Sequence, residues 1–129
     1  MPDMPWTIRF HAGERIIETE YTGTINPCEL EQSIRETLSA SAAHGCARFL
    51  VDGTAMLGGH TPMDLHTNME LAIKFPFPEP FHEALVLPPK APTEMVKNME
   101  FWAAGLRLRG FDVQIFIERA PARNWLRAR

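Results

Sequence analysis

The feature that most constrains this fold is a short apolar run at residues 47–51 that ends directly in Asp52. Apolar residues at consecutive positions indicate a strand covered on both faces, which is typical of a central strand in a parallel sheet. Residues 82–87 have the same character. The two runs predict a parallel sheet, and the segments around them must then contain the crossover helices.

Two helix starts are marked by a polar cap followed by proline. Asn26 precedes Pro27, and Glu29 stands where the acid of a capping box reaches back. Thr61 and Pro62 repeat the arrangement before a second helix. Apolar residues at helical spacing follow both starts. The predicted helices cover residues 27–43, a segment from 61 to the prolines of 75–80, a segment from about 93 to the glycine at 110, and residues 120–126.

The remaining periodic segments read as strands. Residues 6–22 alternate apolar and polar side chains around a turn at 11–13, which indicates a hairpin, and residues 111–117 alternate in the same way. The predicted order is ββαβαβαβα. This order gives an α/β sandwich with a mixed, mostly parallel sheet, an N-terminal antiparallel hairpin and four helices. At 129 residues, the chain is expected to form a single domain over residues 1–129.

Composition favours a cytoplasmic protein without a membrane span. No run approaches the ~20 apolar residues that a bilayer requires, and the N-terminus lacks the pattern of a secretory signal. Residues 101–129 hold 6 of the 13 Lys and Arg residues. Four arginines of the last helix could contact phosphates, but a solvated helix face is the favoured reading, and nucleic acid binding is not expected. They are Arg119, Arg123, Arg127 and Arg129.

The chain resembles the STAS family in its wide sense. The resemblance rests on the element order, on the Leu-Val-Asp52 strand that precedes a capped helix, and on a closing strand followed by Glu118, Ala120 and Trp125-Leu126. It implies a SpoIIAA-like fold, as in stand-alone bacterial proteins similar to anti-sigma-factor antagonists. In the classical antagonists, a phosphorylatable serine starts the helix after the central strand. The corresponding place here reads Gly59-His60-Thr61-Pro62, where Thr61 is the only hydroxyl.

The segment from Asp52 to the second helix is the candidate site. Asp52 is read either as a ligand or base at a strand end, or as a cap of the following loop, which is favoured. Thr61 is read first as a helix cap and second as a phosphoacceptor. The glycine spacing matches neither a P-loop nor a dinucleotide fingerprint. The candidate binding residues are Asp52, Gly53, Thr54, Gly58, Gly59, His60, Thr61 and Asp64.

Other chemistry is weakly marked. His60 and His66 do not share a helix face, so no metal site is expected, and no cofactor is implied. Cys28 lies near a helix start, where a thiolate is favoured, but ordinary packing is the preferred reading. The aromatic loop at residues 75–81 either points outward or folds back onto the core.

The leading functional hypothesis is a non-catalytic regulatory or binding module that uses residues 53–64 to bind a protein partner or a small ligand. The alternative is a domain for an apolar small molecule or lipid, suggested by the methionines and leucine around this segment. An enzyme using Asp52, His60 or Cys28 ranks last. The sequence leaves the partner, the ligand and a homodimeric state open.

Overall fold

The computed structural model describes residues 4–129 and contains one five-stranded sheet in the order β1-β2-β3-β4-β5. The first two strands pair antiparallel, and every later neighbour is parallel. This confirms the predicted α/β class, the mixed sheet and the order ββαβαβαβα. The strands are β1 (Trp6–His11), β2 (Ile16–Thr24), β3 (Arg48–Gly58), β4 (His82–Val86) and β5 (Asp112–Phe116).

The connecting helices all lie on one face of the sheet. Strand order follows the chain without reversing, and crossovers of a single hand then place every connecting helix on the same side. The helix after the last strand packs on the opposite face, against β3, β4 and β5. The helices are α1 (Pro27–His44), α2 (Pro62–Lys74), α3 (Thr93–Arg107) and α4 (Arg119–Arg127).

Two apolar cores result from this three-layer arrangement. The larger lies between the sheet and α1, α2 and α3, and the smaller lies under α4. In β3, Phe49 faces the larger core and Leu50 the smaller one, so the strand is buried on both sides as its apolar run predicts. The last helix docks on the sheet through Leu126, which is fully buried in the smaller core.

Arg119, Arg127 and Arg129 are exposed and Arg123 is partly buried, and all four arginines pair with carboxylates on the sheet side. Arg119 pairs with Asp52, while Arg123 donates to Glu14 at 2.8 Å and to Glu18 at 3.0 Å. Arg127 also donates to Glu14, and Arg129 donates to Asp112 at 3.0 Å. These ion pairs fix α4 to the polar part of its sheet face, because charge-assisted hydrogen bonds are stronger than neutral ones.

The boundary of β3 corrects one expectation. The segment between Asp52 and the helix start at Thr61 was expected to be a loop, but β3 continues to Gly58. β2 is long enough to offer backbone partners there, pairing Thr22 with Ala55 and Thr24 with Gly58. Register irregularities accompany this extension. The ladder hydrogen bonds outweigh the poor strand propensity of glycine, and the connection to α2 shrinks to residues 59–61.

The aromatic loop at residues 75–81 folds back onto the core, which decides between the two readings. Phe77 lies edge-on to Phe49 at 5.8 Å between ring centroids, and Phe81 lies 5.2 Å from Phe49. Phe111 completes the cluster from the start of β5. Within residues 4–129, no helix is both long and apolar enough to cross a bilayer.

Candidate functional site

The side chain of Asp52 lies on the α4 face of the sheet, where its hydrogen bonds stabilise the fold. Its buried carboxylate accepts hydrogen bonds from the Thr54 backbone N–H at 3.0 Å and from the Thr54 hydroxyl at 2.7 Å, and Arg119 Nη1 lies 2.8 Å away. Burial alone would raise the pKa of Asp52, but the bonds from Arg119 and Thr54 outweigh it and the pKa is lowered. Asp52 therefore caps the backbone after it and anchors α4 through Arg119.

The glycines allow β3 to end against neighbouring backbone. Gly58 and Gly59 have φ of 107° and 103°, which side chains rarely adopt. Gly59 also packs on the end of β2, since a Cβ there would lie 2.6 Å from the Ile25 carbonyl oxygen. At Gly53, a Cβ would lie 2.8 Å from the Val86 carbonyl oxygen. Gly53 and Gly59 need glycine for packing and Gly58 for its backbone angle, and none of them needs a phosphate to explain it.

Thr61 caps α2 through a reciprocal capping box. Its hydroxyl oxygen accepts from the Asp64 backbone N–H at 3.3 Å, and the Asp64 carboxylate accepts from the Thr61 backbone N–H at 2.8 Å. The Thr61 hydroxyl also donates to the same carboxylate oxygen at 3.0 Å. The positive end of the helix already faces a carboxylate, so a second anion there would meet the charge of Asp64.

Replacing Thr61 with alanine is expected to lower the free energy of unfolding by about 1 kcal/mol, because it removes both hydroxyl bonds of the cap. Thr61→Ser keeps the hydroxyl and should lose less than half of that amount. Urea denaturation of the three proteins measures the difference. A Thr61→Ala protein as stable as the parent would contradict the capping role.

His60 points away from this polar cluster and lines a cavity of about 80 Å³ between the sheet and α1, α2 and α3. Aliphatic and aromatic side chains form most of the wall, and the segment of the predicted site contributes Met56 and His60. An apolar pocket with a few convergent polar groups is the usual form of a small-ligand site. The polar groups on this wall are Thr19, Tyr21, Thr37, His60, Glu83 and the indole of Trp102.

Both ring nitrogens of His60 are buried and have no hydrogen-bond partner among residues 4–129. Burial lowers the pKa of His60, although the Asp64 carboxylate opposes the shift. The neutral ring at pH 7 carries one N–H donor and one acceptor nitrogen. Buried polar side chains nearly always have a partner. Among the described residues of the pocket wall, His60 is the one whose buried polar atoms have none.

Glu83 is the acid of the pocket. It is the second residue of β4 with 7% of its surface exposed, and Trp102 Nε1–H donates to its Oε1 at 2.8 Å. Burial raises the pKa of Glu83 to about 7, against the opposing effect of the Trp102 hydrogen bond. Nearby, the Tyr21 hydroxyl is 2.6 Å from Ser33 Oγ, and burial raises the pKa of Tyr21 to about 12.

The structure thus divides the predicted site residues between two faces of the sheet. Asp52 faces α4, whereas His60 faces the pocket, so the Asp52–His60 pair of the enzyme hypothesis does not form. Cys28 is exposed. No group of three or more His, Cys, Asp or Glu side chains is positioned to hold a metal ion in the part of the chain described, residues 4–129.

Glu83 was missed as a site residue, together with Tyr21 and Trp102. A signal was present, because Glu83 is an acid within an apolar strand at residues 82–87. An acid in that position must face either a cation or a buried polar partner. The identity of that partner depends on residues far away in the chain.

Comparisons with protein family models, with curated proteins and with solved structures gave no match for this chain. The resemblance to the STAS family accordingly stays a prediction.

Proposed function

We propose that this domain is a binding module for a small, largely apolar ligand, held in the pocket between the sheet and α1, α2 and α3. The observation that carries the proposal is an apolar cavity of about 80 Å³ whose wall includes His60, a side chain with two buried ring nitrogens that have no hydrogen-bond partner among residues 4–129. Apolar lining supplies the affinity, and a few fixed polar groups orient the ligand. Glu83 and His60 are the groups that face such a ligand.

The pocket also supports the regulatory role that the resemblance implies for residues 53–64. Met56 and His60 from this segment form part of the wall, and Leu65 follows from the first turns of α2. A ligand in the pocket therefore contacts the inner side of the same segment. A bound ligand stabilises the conformation of residues 53–64 that forms the pocket wall, because it binds that conformation and not others.

A protein partner would use the outer side of this segment. Leu57 is 75% exposed and Met63 is 70% exposed, one at each end of the short connection between β3 and α2. Exposed apolar side chains beside a ligand pocket support a second function, in which a bound ligand alters a partner contact. The ligand is the primary proposal, because the pocket is formed within the domain itself.

The test of ligand binding is a titration with n-butanol, a probe of suitable size, followed by NMR of the tryptophan indole N–H groups. The Trp102 signal is expected to move, because its indole lines the pocket, whereas Trp6 and Trp125 lie outside the lining and serve as internal references. For so small a probe, the dissociation constant should be on the order of 1 mM.

A cavity-filling variant gives the matched control. Ala72 lines the pocket, so Ala72→Leu is expected to weaken probe binding by about tenfold or more through loss of space. Ala55 is exposed on β3, and Ala55→Leu should leave binding unchanged. Unaltered binding in the Ala72→Leu protein, or a Trp102 signal that never moves in the parent, would overturn the proposal.

A further inference from the structure

We propose that the ligand of this pocket carries an amine, bound as an ammonium group against the Glu83 carboxylate and the aromatic side chains around it. This inference rests on the proposed function and names the chemical class of its ligand. Three observations support it: the pairing of the buried acids, the absence of cations in the pocket wall, and the aromatic content of that wall.

The buried acids on the two faces of the sheet differ in whether a cation pairs with them. Glu18 and Asp52 face α4, and each is bound by an arginine, Arg123 at 3.0 Å and Arg119 at 2.8 Å. Glu83 is as buried as Glu18 but has only the neutral Trp102 indole as a donor within residues 4–129. A buried carboxylate is stable when a cation pairs with it. Glu83 is therefore the carboxylate to which a ligand can supply the missing cation.

The pocket wall has no cation of its own in the described chain, since neither lysine nor arginine is among its residues. An anionic ligand would enter beside Glu83 without any positive charge to receive it, and like charges at short range disfavour binding. An ammonium group has the opposite sign and donates hydrogen bonds to a carboxylate. Charge complementarity thus selects an amine over a carboxylic acid.

Four aromatic side chains line the same cavity: Tyr21, Phe49, Phe81 and Trp102. Aromatic rings attract cations through their quadrupole, and groups of such rings with a nearby acid are a recurrent way of binding ammonium groups. The 2.8 Å hydrogen bond between Trp102 and Glu83 holds one ring and the carboxylate together. An alcohol of the same size gains the apolar contacts but not the attraction to the rings and the charge.

The affinity for an amine is expected to depend on pH, because binding is coupled to the ionisation of Glu83. Burial raises the pKa of Glu83 to about 7, so near neutral pH an entering ammonium group displaces a proton from Glu83 to solvent. The ionisable groups on the surrounding wall are Tyr21 from β2 and His60 before α2, and both are neutral at pH 7 because burial raises the pKa of Tyr21 and lowers that of His60. Amine affinity should therefore increase from pH 5 to pH 8, whereas alcohol affinity should not.

The test compares n-butylammonium, n-butanol and butanoate, which share one apolar tail, by the shift of the Trp102 indole signal at pH 8. Butylammonium is expected to bind about tenfold more tightly than butanol, and butanoate more weakly than either. Glu83→Gln should abolish the preference for the amine over butanol. Glu36→Gln is the matched control, because it removes a carboxylate that accepts from a different indole, Trp6, outside the pocket.

The outcomes separate the two proposals. If butanol binds at the pocket as tightly as butylammonium, the amine inference is overturned and the ligand-binding function stands. If the amine preference survives in Glu83→Gln, the carboxylate is not its source and the inference fails as well. If none of the three probes moves the Trp102 signal, both the inference and the proposed function fail.

Discussion

Alanine at position 59 is expected to lower the free energy of unfolding by about 4 kcal/mol, one of the largest effects of a single methyl group in this protein. Gly59 has φ of 103°, and its Cβ would lie 2.5 Å from Thr24 Cγ2 and 2.6 Å from the Ile25 carbonyl oxygen. The Ile25 backbone cannot withdraw without cost, because its N–H donates to the Gly58 carbonyl oxygen at 2.8 Å and its side chain is fully buried.

Gly58→Ala is the control for this prediction. Gly58 has a similar φ of 107°, but no atom lies within 4 Å of a Cβ placed there. The free energy of unfolding of this variant should fall only by the backbone strain, about 2 kcal/mol. Chemical denaturation of both variants separates the two contributions. Equal losses would show that the close packing of Gly59 on the end of β2 does not contribute to stability.

Replacing Glu83 with glutamine is expected to change how stability depends on pH. The pKa of Glu83 is about 7 in the folded protein and near 4.5 in a solvated chain. Between these values the folded state binds the proton and the unfolded state does not, so the free energy of unfolding decreases as pH rises from about 4.5 to about 7. The total loss is about 3 kcal/mol. Glutamine cannot ionise, and the variant should lack this loss.

The measurement is the difference in unfolding free energy between Glu83→Gln and the parent, taken at pH 4 and again at pH 8. From pH 4 to pH 8, the stability of the variant relative to the parent should rise by about 3 kcal/mol. Any pH-independent effect of the amide cancels in this comparison. Glu36→Gln removes a carboxyl that no burial protects, and its difference from the parent should change far less. A pH-independent difference for Glu83→Gln would mean that the carboxyl is not buried as the structure places it.

Local sequence patterns were sufficient for the elements of this fold. The capping sequences at Asn26 and Thr61 predicted where α1 and α2 begin, and the structure confirms both caps. These predictions succeed because capping and amphipathic spacing depend on residues within a few positions of each other. The prediction of a loop between Asp52 and Thr61 was wrong because it depends on distant residues. β3 is extended there by pairing with β2, some 30 residues earlier in the chain.

The sequence by itself determined the α/β class, the order of the elements and the segment near Thr61 as a place of interest. Only the tertiary structure decided that Asp52 and His60 face opposite sides of the sheet, and that Glu83 lies in an apolar pocket with Tyr21 and Trp102. The physical reason is that helix and strand patterns arise from neighbours in the chain. A pocket forms where side chains of distant elements pack together, and its charge balance depends on which of them meet.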